Sequence, residues 1–273
     1  MSNKIYPVVK WIGGKRQLID TLCMYMPVSY TRYFEPFIGG GALFFSLQPH
    51  NGYIADDNEE LINMYTIIRD NVDELIDSLR KHEVSKEYYL AIRNLDRLDM
   101  YRQISKIERA SRFIYLNKTC FNGIYRVNSQ GYFNVPFGYY TTPLVIDEGN
   151  LKRASELLKT TDIVHTDFST ILTHVQKNDF VYFDPPYIPL NKTSKFTSYT
   201  KQGFSLDRHY LLKDICEELD RRGVFFMLSN SDTKLTHELY KNYDRIQVFA
   251  SRVVNASAHG RGKITELLIR NYV

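Results

Sequence analysis

No run of about 18 apolar residues occurs anywhere in the 273-residue chain, which excludes a membrane-spanning helix. Residues 1–7 lack an apolar core and a small-residue cleavage site. Secretion is therefore not expected, and a cytoplasmic setting is. Cysteine is scarce: Cys23, Cys120 and Cys216 are odd in number and show no paired spacing. That argues against a disulfide framework and excludes a CxxC-type zinc site, so no metal is expected. Two phosphate signatures are also missing. Gly13-Gly14-Lys15 has Val9 where a P-loop needs its first glycine and Arg16 where it needs Ser or Thr. Gly39 and Gly41 lack the third glycine of a dinucleotide fingerprint, since Phe44 stands there.

What is abundant is aromatic. The chain has 21 Tyr and 16 Phe but a single Trp, with a net charge of +4. Rings plus mild positive charge suit nucleic acid, where bases stack on side chains. The charge is uneven. Between Arg80 and Gly131 there are 11 basic and 5 acidic residues, or +6. Residues 245–263 carry Arg245, Arg252, Arg261 and Lys263 with no acid, and Lys4, Lys10, Lys15 and Arg16 form a third group. These patches could line a phosphate track. The alternative for the first is a solvated helix face paired internally.

Periodicity predicts alternating strands and helices. Helical spacing runs through Leu18, Leu22 and Tyr25, then residues 42–47, 59–69, 72–79 and 104–115. Strands are expected near residues 30–36, 52–55, 163–165, 180–183 and 224–228, with a helix from Leu211 to Leu219. Asn128 to Gly131 marks a hairpin, and residues 245–250 and 264–271 a second one. Such alternation means a mainly parallel sheet with right-handed crossovers. The basic helical middle interrupts it, giving residues 1–70 and 160–273 as one domain and 71–159 as an inserted lobe.

Asp184-Pro185-Pro186-Tyr187 follows the apolar strand 180–183 directly. Neither proline has an N–H to give, so the pair holds a stiff corner at the strand's carboxyl end. Ligands bind at that end of an open parallel sheet. The corner offers a carboxylate, the Pro185 carbonyl and an aromatic face, which suits an amino group on a planar ring. Phe37-Ile38-Gly39-Gly40-Gly41 lies between a strand and a helix, where glycines admit a ligand to the backbone and the helix N-terminus favours a polar group. Asp56 ends the next strand, where an acid commonly binds ribose hydroxyls. With no phosphate motif, an adenosyl-type nucleoside fits best.

Lys10-Trp11-Ile12-Gly13-Gly14-Lys15, Phe34-Glu35-Pro36-Phe37-Ile38-Gly39-Gly40-Gly41 and Asp184-Pro185-Pro186-Tyr187, in this order, resemble the Dam-type DNA adenine N6-methyltransferases, and most of all the DpnII-type modification methylases. The likeness continues through Phe121 to Asn128 and Phe133 to Gly138, and on to Ser229-Asn230. It implies an α/β, Rossmann-like S-adenosylmethionine-dependent methyltransferase with a seven-stranded sheet whose last strand is antiparallel. It also implies an inserted helical DNA-recognition lobe. Carried over by motif, Trp11, Lys15, Phe37, Gly39, Asp56, Asp167, Phe168 and Asp184 would contact S-adenosyl-L-methionine, with Asp167 and Phe168 flanking its adenine. Asp184, Pro185 and Tyr187 would act on the target base. Lys10, Ile124, Arg126, Pro136 and Tyr140 match positions that read GATC in double-stranded DNA, with Phe121 and Asn122 beside a flipped-out base. Ile124 stands where Leu is more usual, and Phe121 where some members have Tyr. Arg252 and Arg261, in the tip 251–263, would grip phosphate, and residues 188–204 would form a mobile loop. The resemblance further implies a monomeric bacterial or phage enzyme on the nucleoid, with a restriction endonuclease as a candidate functional partner. Two other readings stay open: a DNA-binding module without catalysis, and a methyltransferase acting on RNA or a protein amide.

Overall fold

A computed structural model describes residues 4–189, 204–251 and 263–273. Seven strands form one sheet in the order β3-β2-β1-β4-β5-β7-β6. They are β1 (Tyr33–Glu35), β2 (Tyr53–Asp56), β3 (Asp162–His165), β4 (Phe180–Phe183), β5 (Phe225–Ser231), β6 (Asp244–Ser251) and β7 (Lys263–Arg270). Pairings from β3 to β5 are parallel, and β7 runs antiparallel to both β5 and β6. The result is a mixed α/β sheet with one antiparallel strand. Residues 252–262, which include Arg252 and Arg261, and residues 190–203 of the expected loop lie outside the described residues.

Burial explains the strand types. Every residue of β4 is buried, as an apolar run covered on both faces requires. One apolar cluster covers one side of the sheet with α1 (Ile19–Met24), α2 (Ala42–Leu47), α3 (Glu59–Asp70), α4 (Val72–Leu79), part of α6 (Lys106–Thr119), which follows α5 (Lys86–Asn94), and α7 (Glu148–Leu158). A second cluster lies under α8 (Leu206–Arg221), which precedes the short α9 (Lys234–Leu239). A third, smaller cluster joins Tyr89, Tyr115, Leu116, Cys120, Phe133 and Val135. Thus α4, α6 and α7 pack on α3 and the main core, while α5 and the hairpin strands have a core of their own.

Several expectations need correction. The helix expected at 211–219 begins at Leu206, because Ser205 and the residues after it already close helical turns. Three helices escaped the periodicity: α5, α7 and α9. In α7 the buried face includes Asn150 and Ser155, so the apolar stripe is broken by polar residues that find partners. Part of the charge of the basic middle is taken up by internal pairs. Arg109 pairs with Glu59 and Glu60, Arg97 and Arg112 with Asp96, and Arg80 with Asp77 and Glu148. Those guanidiniums hold the helices together. Among the described residues no helix is long and apolar enough to cross a membrane.

Candidate active site

The carboxyl ends of the parallel strands put four acids along one edge. Asp56 ends β2, Glu35 ends β1, Asp184 follows β4, and Glu266 on β7 lies opposite Ser231 at the end of β5. The proline corner cannot use ladder hydrogen bonds, so side chains hold it instead. The Ile188 N–H donates to Asn230 Oδ1 at 3.1 Å, and Ser231 Oγ donates to the Ile188 carbonyl at 2.6 Å. Beneath it, Tyr182 and Ser229 share a hydroxyl bond of 2.8 Å.

At the corner, Lys15 Nζ lies 2.7 Å from Asp184 Oδ1 and donates to the Gly13 carbonyl at 2.7 Å. The same ammonium sits 4.8 Å from the centre of the Tyr187 ring. The Tyr187 hydroxyl donates to Glu266 Oε2 at 2.7 Å. Only 5% of Lys15 and 19% of Asp184 are exposed. Burial raises the Asp184 carboxyl above its ordinary range, Lys15 pulls it back, and Glu266 pushes it up again. Lys15 is thus the charge that opposes this rise and favours the ionised carboxylate.

The glycine turn is closed by Trp11 and by the acids beside it. Gly39 takes a φ of +44°, and a Cβ there would meet Trp11 Cδ1 at 2.6 Å. The Gly39 N–H donates to Asp56 Oδ2 and the Asn58 N–H to Asp56 Oδ1, both at 3.1 Å. The first turn of α2 donates the Phe44 N–H to Glu35. These two backbone donors therefore serve the chain's own acids. Glu35 also accepts the Tyr33 hydroxyl at 2.7 Å. Burial pushes its carboxyl up to about 8 despite these bonds, with Asp184 raising it further. Asp56 is likewise raised, by burial first and then by adjacent Asp57. A buried acid at a strand end, braced by two backbone donors, presents the acceptors a sugar diol needs.

Beside Asp56 lies an aromatic nest. Phe37 stacks on Phe168 at 5.0 Å and 29°, and Phe204 touches both. The Arg208 guanidinium sits 4.4 Å from the Phe168 ring centre and pairs with Asp167. Burial would raise Asp167, but the Ser169 bonds and Arg208 outweigh it and leave the carboxyl lowered. These residues suit a flat heterocycle, and Phe204 and Arg208 are the neighbours such a ring would have to move. Trp11 faces Gly39 and Gly40 and stacks on Tyr125 at 5.4 Å, so it joins the turn to the hairpin region. Glycines closed by Trp11, an acid for a diol and stacked rings form a donor set that fits an adenosyl cofactor.

The residues expected to read DNA gather on the other side of Trp11. Lys10 is anchored through its backbone, its N–H donating to Asn117 Oδ1 at 2.8 Å and its carbonyl accepting from Asn117 Nδ2 at 2.9 Å. Its ammonium lies 5.3 Å from the Tyr140 ring centre. Phe121 is 51% exposed, and Asn122 beside it has a φ of +57°. The Phe121 N–H donates to the Pro136 carbonyl at 2.9 Å. Val127 and Phe133 form the expected hairpin bridge. Exposed Arg126 is steadied across it by Asn134, which accepts from Nε at 2.7 Å. Ile124 is half-buried, and its carbonyl accepts the Cys120 thiol at 3.3 Å.

The structure thus brings together Lys15, Asp184, Pro185 and Tyr187; Trp11, Gly39 and Asp56; Phe37, Asp167 and Phe168; and Lys10 with Tyr140. Sequence reasoning missed Glu266, Ser231, Arg208 and Phe204. None carries a local motif, because each reaches the site through tertiary pairing.

The sheet and the acid-lined carboxyl edge are consistent with an α/β methyltransferase that acts on an amino group. Residues 11–254 match the family of D12 class N6 adenine-specific DNA methyltransferases, and the chain belongs to that family. It is 48% identical over 277 residues to the Type II methyltransferase M1.LlaDCHI of Lactococcus lactis subsp. cremoris, covering 99% of this chain and 98% of that one. It is 41% identical over 289 residues to the Type II methyltransferase M.MjaIII of Methanocaldococcus jannaschii, covering 98% and 100%. It is 32% identical over 260 residues to the DNA adenine methylase of Escherichia coli strain K12, covering 95% and 93%. The chain is therefore a DNA adenine methyltransferase, and its family implies S-adenosylmethionine as methyl donor.

Proposed function

We propose that the protein methylates N6 of the adenine in GATC within double-stranded DNA, with that adenine turned out of the helix. The single observation that carries the chemistry is the Asp184–Tyr187 corner with its buried ammonium partner. An exocyclic amine inside a duplex lies beyond such a recess, so the base must leave the stack. Tyr187 would offer its ring to the extruded adenine, and stacking of this kind contributes about 1–3 kcal/mol.

Adenine N6 is a weak nucleophile because its lone pair is delocalised into the ring. Asp184 would accept one N6 hydrogen and the Pro185 carbonyl the other, which favours the pyramidal, partly cationic nitrogen of the transition state. Lys15, 2.7 Å from Asp184, favours the anionic form this needs. Trp11, Phe37, Gly39, Asp56, Asp167 and Phe168 would hold S-adenosyl-L-methionine, which supplies a methyl group already activated on a sulfonium. No strong base is required, since the methylated nitrogen is acidic enough for water to take its proton.

Residues 1–70 and 160–273 serve as the catalytic part and 71–159 as the target-reading part, supported by the small separate core around Tyr89 and Tyr115. GATC rests on the motif resemblance of Lys10, Ile124, Arg126, Pro136 and Tyr140, with Phe121 and Asn122 beside the vacated position. Arg126 reading guanine at O6 and N7 would supply about 1–3 kcal/mol of discrimination. Two relatives bear Type II methyltransferase names, which supports a partner restriction endonuclease. The test is methylation of mixed plasmid DNA with mapping of the modified base and its context. N6-methyladenine confined to GATC is expected. Methyl transfer to RNA or to a protein amide instead, or none at all, refutes the reading.

A further inference from the structure

We propose that Glu266 is a positioning residue for methyl transfer: its carboxylate fixes the Tyr187 ring through the phenol hydroxyl before a base arrives. This rests on the reading that Tyr187 stacks on the target adenine.

The argument starts from torsions. The second side-chain torsion of tyrosine is broad, so a ring held only at its Cβ end can rotate over a wide range. A stacking platform must not. The Tyr187 hydroxyl is tethered to Glu266 Oε2 at 2.7 Å, across 79 residues of sequence. The tether is rigid because of where it is mounted. Glu266 faces Ser231 across the antiparallel β5–β7 pair and Val248 across β6–β7. Ser231 holds the Ile188 carbonyl at 2.6 Å. One cross-strand pair therefore grips the corner twice, its serine by the backbone of Ile188 and its glutamate by the ring of Tyr187.

The acid is out of place for a merely structural residue. Leu267, Leu268 and Ile269 follow it, all fully buried. The carboxylate at the end of this run raises its neighbour Asp184. Lys15 completes the clamp 4.8 Å from the ring centre. The ring is thus fixed at its hydroxyl by an acid, with a cation close beside it.

The experiment uses the full chain with a GATC duplex carrying 2-aminopurine at the target adenine for fluorescence, and an ordinary duplex for kinetics. Glu266→Ala is expected to lower kcat about 10- to 100-fold, the scale at which small misplacements act, while the KM for S-adenosylmethionine stays within about 2-fold. Glu266→Gln, which keeps an acceptor oxygen, restores most of the rate. Tyr187→Phe shows a similar loss, and adding Glu266→Ala to it costs nothing more, as expected of residues acting as a unit. The 2-aminopurine signal of the bound duplex is brighter in Glu266→Ala than in wild type, because a loosened ring quenches less. Additive losses, an unchanged kcat in Glu266→Ala, or a rise confined to the donor KM would each overturn the proposal. Wild type that leaves adenine unmethylated brings down the underlying reading and this inference with it. Wild type that methylates while Glu266→Ala matches it brings down the inference alone.

Discussion

Along the carboxyl edge of the sheet, Asp56, Glu35 and Asp184 are enclosed and tied to backbone N–H groups, hydroxyls and an ammonium. Across Trp11, Phe121, Pro136 and Arg126 stand exposed on short turns closed by a few hydrogen bonds. The two regions differ as their tasks do. An acid that must stabilise charge in a transition state works best preorganised and shielded from water. A residue that must reach a base edge has to remain accessible until DNA supplies its partner. One aromatic residue, Trp11, links them, packing on the Gly39–Gly40 turn and on Tyr125 of the hairpin region.

The contrast can be broken first at Asp184. Asp184→Ala is expected to lower methyl transfer by roughly three orders of magnitude, as loss of a preorganised transition-state contact does. Radiolabelled transfer measures it, and DNA binding should survive; near-normal transfer would remove Asp184 from the chemistry. Next, Gly39→Ala places a Cβ 2.6 Å from Trp11 at a φ of +44°. Donor binding by calorimetry should weaken at least about tenfold, since either the strain or the displaced indole disturbs the turn. Arg126→Ala on the open side should cost about 1–3 kcal/mol of discrimination at one base pair, with donor affinity intact. Competition between cognate and single-mismatch duplexes checks this, and an unchanged preference refutes it.

A pH measurement sharpens the comparison. Glu35 is raised to about 8 in the folded protein, chiefly by burial, whereas its unfolded value is near 4.5. Between those values the folded state binds the extra proton, so this group's contribution makes stability fall as pH rises, by at most about 1.4 kcal/mol per unit. Denaturant titrations from pH 5 to 8 should show that slope, and Glu35→Gln should flatten it. The smallest effect belongs to the internally paired arginines. Arg80→Ala should leave thermal stability and the salt dependence of DNA binding close to those of wild type, because Asp77 and Glu148 already take up its charge in an exposed, solvent-screened pair.

The same contrast governs what a sequence reader can see. The proline corner, the glycine turn and Asp56 were legible because strand, turn and acid are contiguous, and the chemistry is written in neighbouring residues. The helix 42–47 was found with its bounds intact, since Leu43, Phe44 and Phe45 are all buried and Gly41 opens it. Helix α5 was not found because its only fully buried side chain is Tyr89. The Ser85 cap, accepting from the Tyr88 N–H, was the signal available. The charge of the middle segment is countable from sequence but its pairing is not, because ion pairs such as Arg109–Glu60 join residues far apart in the chain. Glu266 and Arg208 were invisible for a related reason: each owes its place to strand register or to helix packing.

Strand β7 follows β6 along the chain yet lies between β5 and β6. Among the described residues β6 pairs with β7 alone, so it joins the sheet only through β7, and the two form an antiparallel ribbon at its edge. The acid that steadies Tyr187 rides on that ribbon, so a half-folded chain would hold a proline corner without its brace.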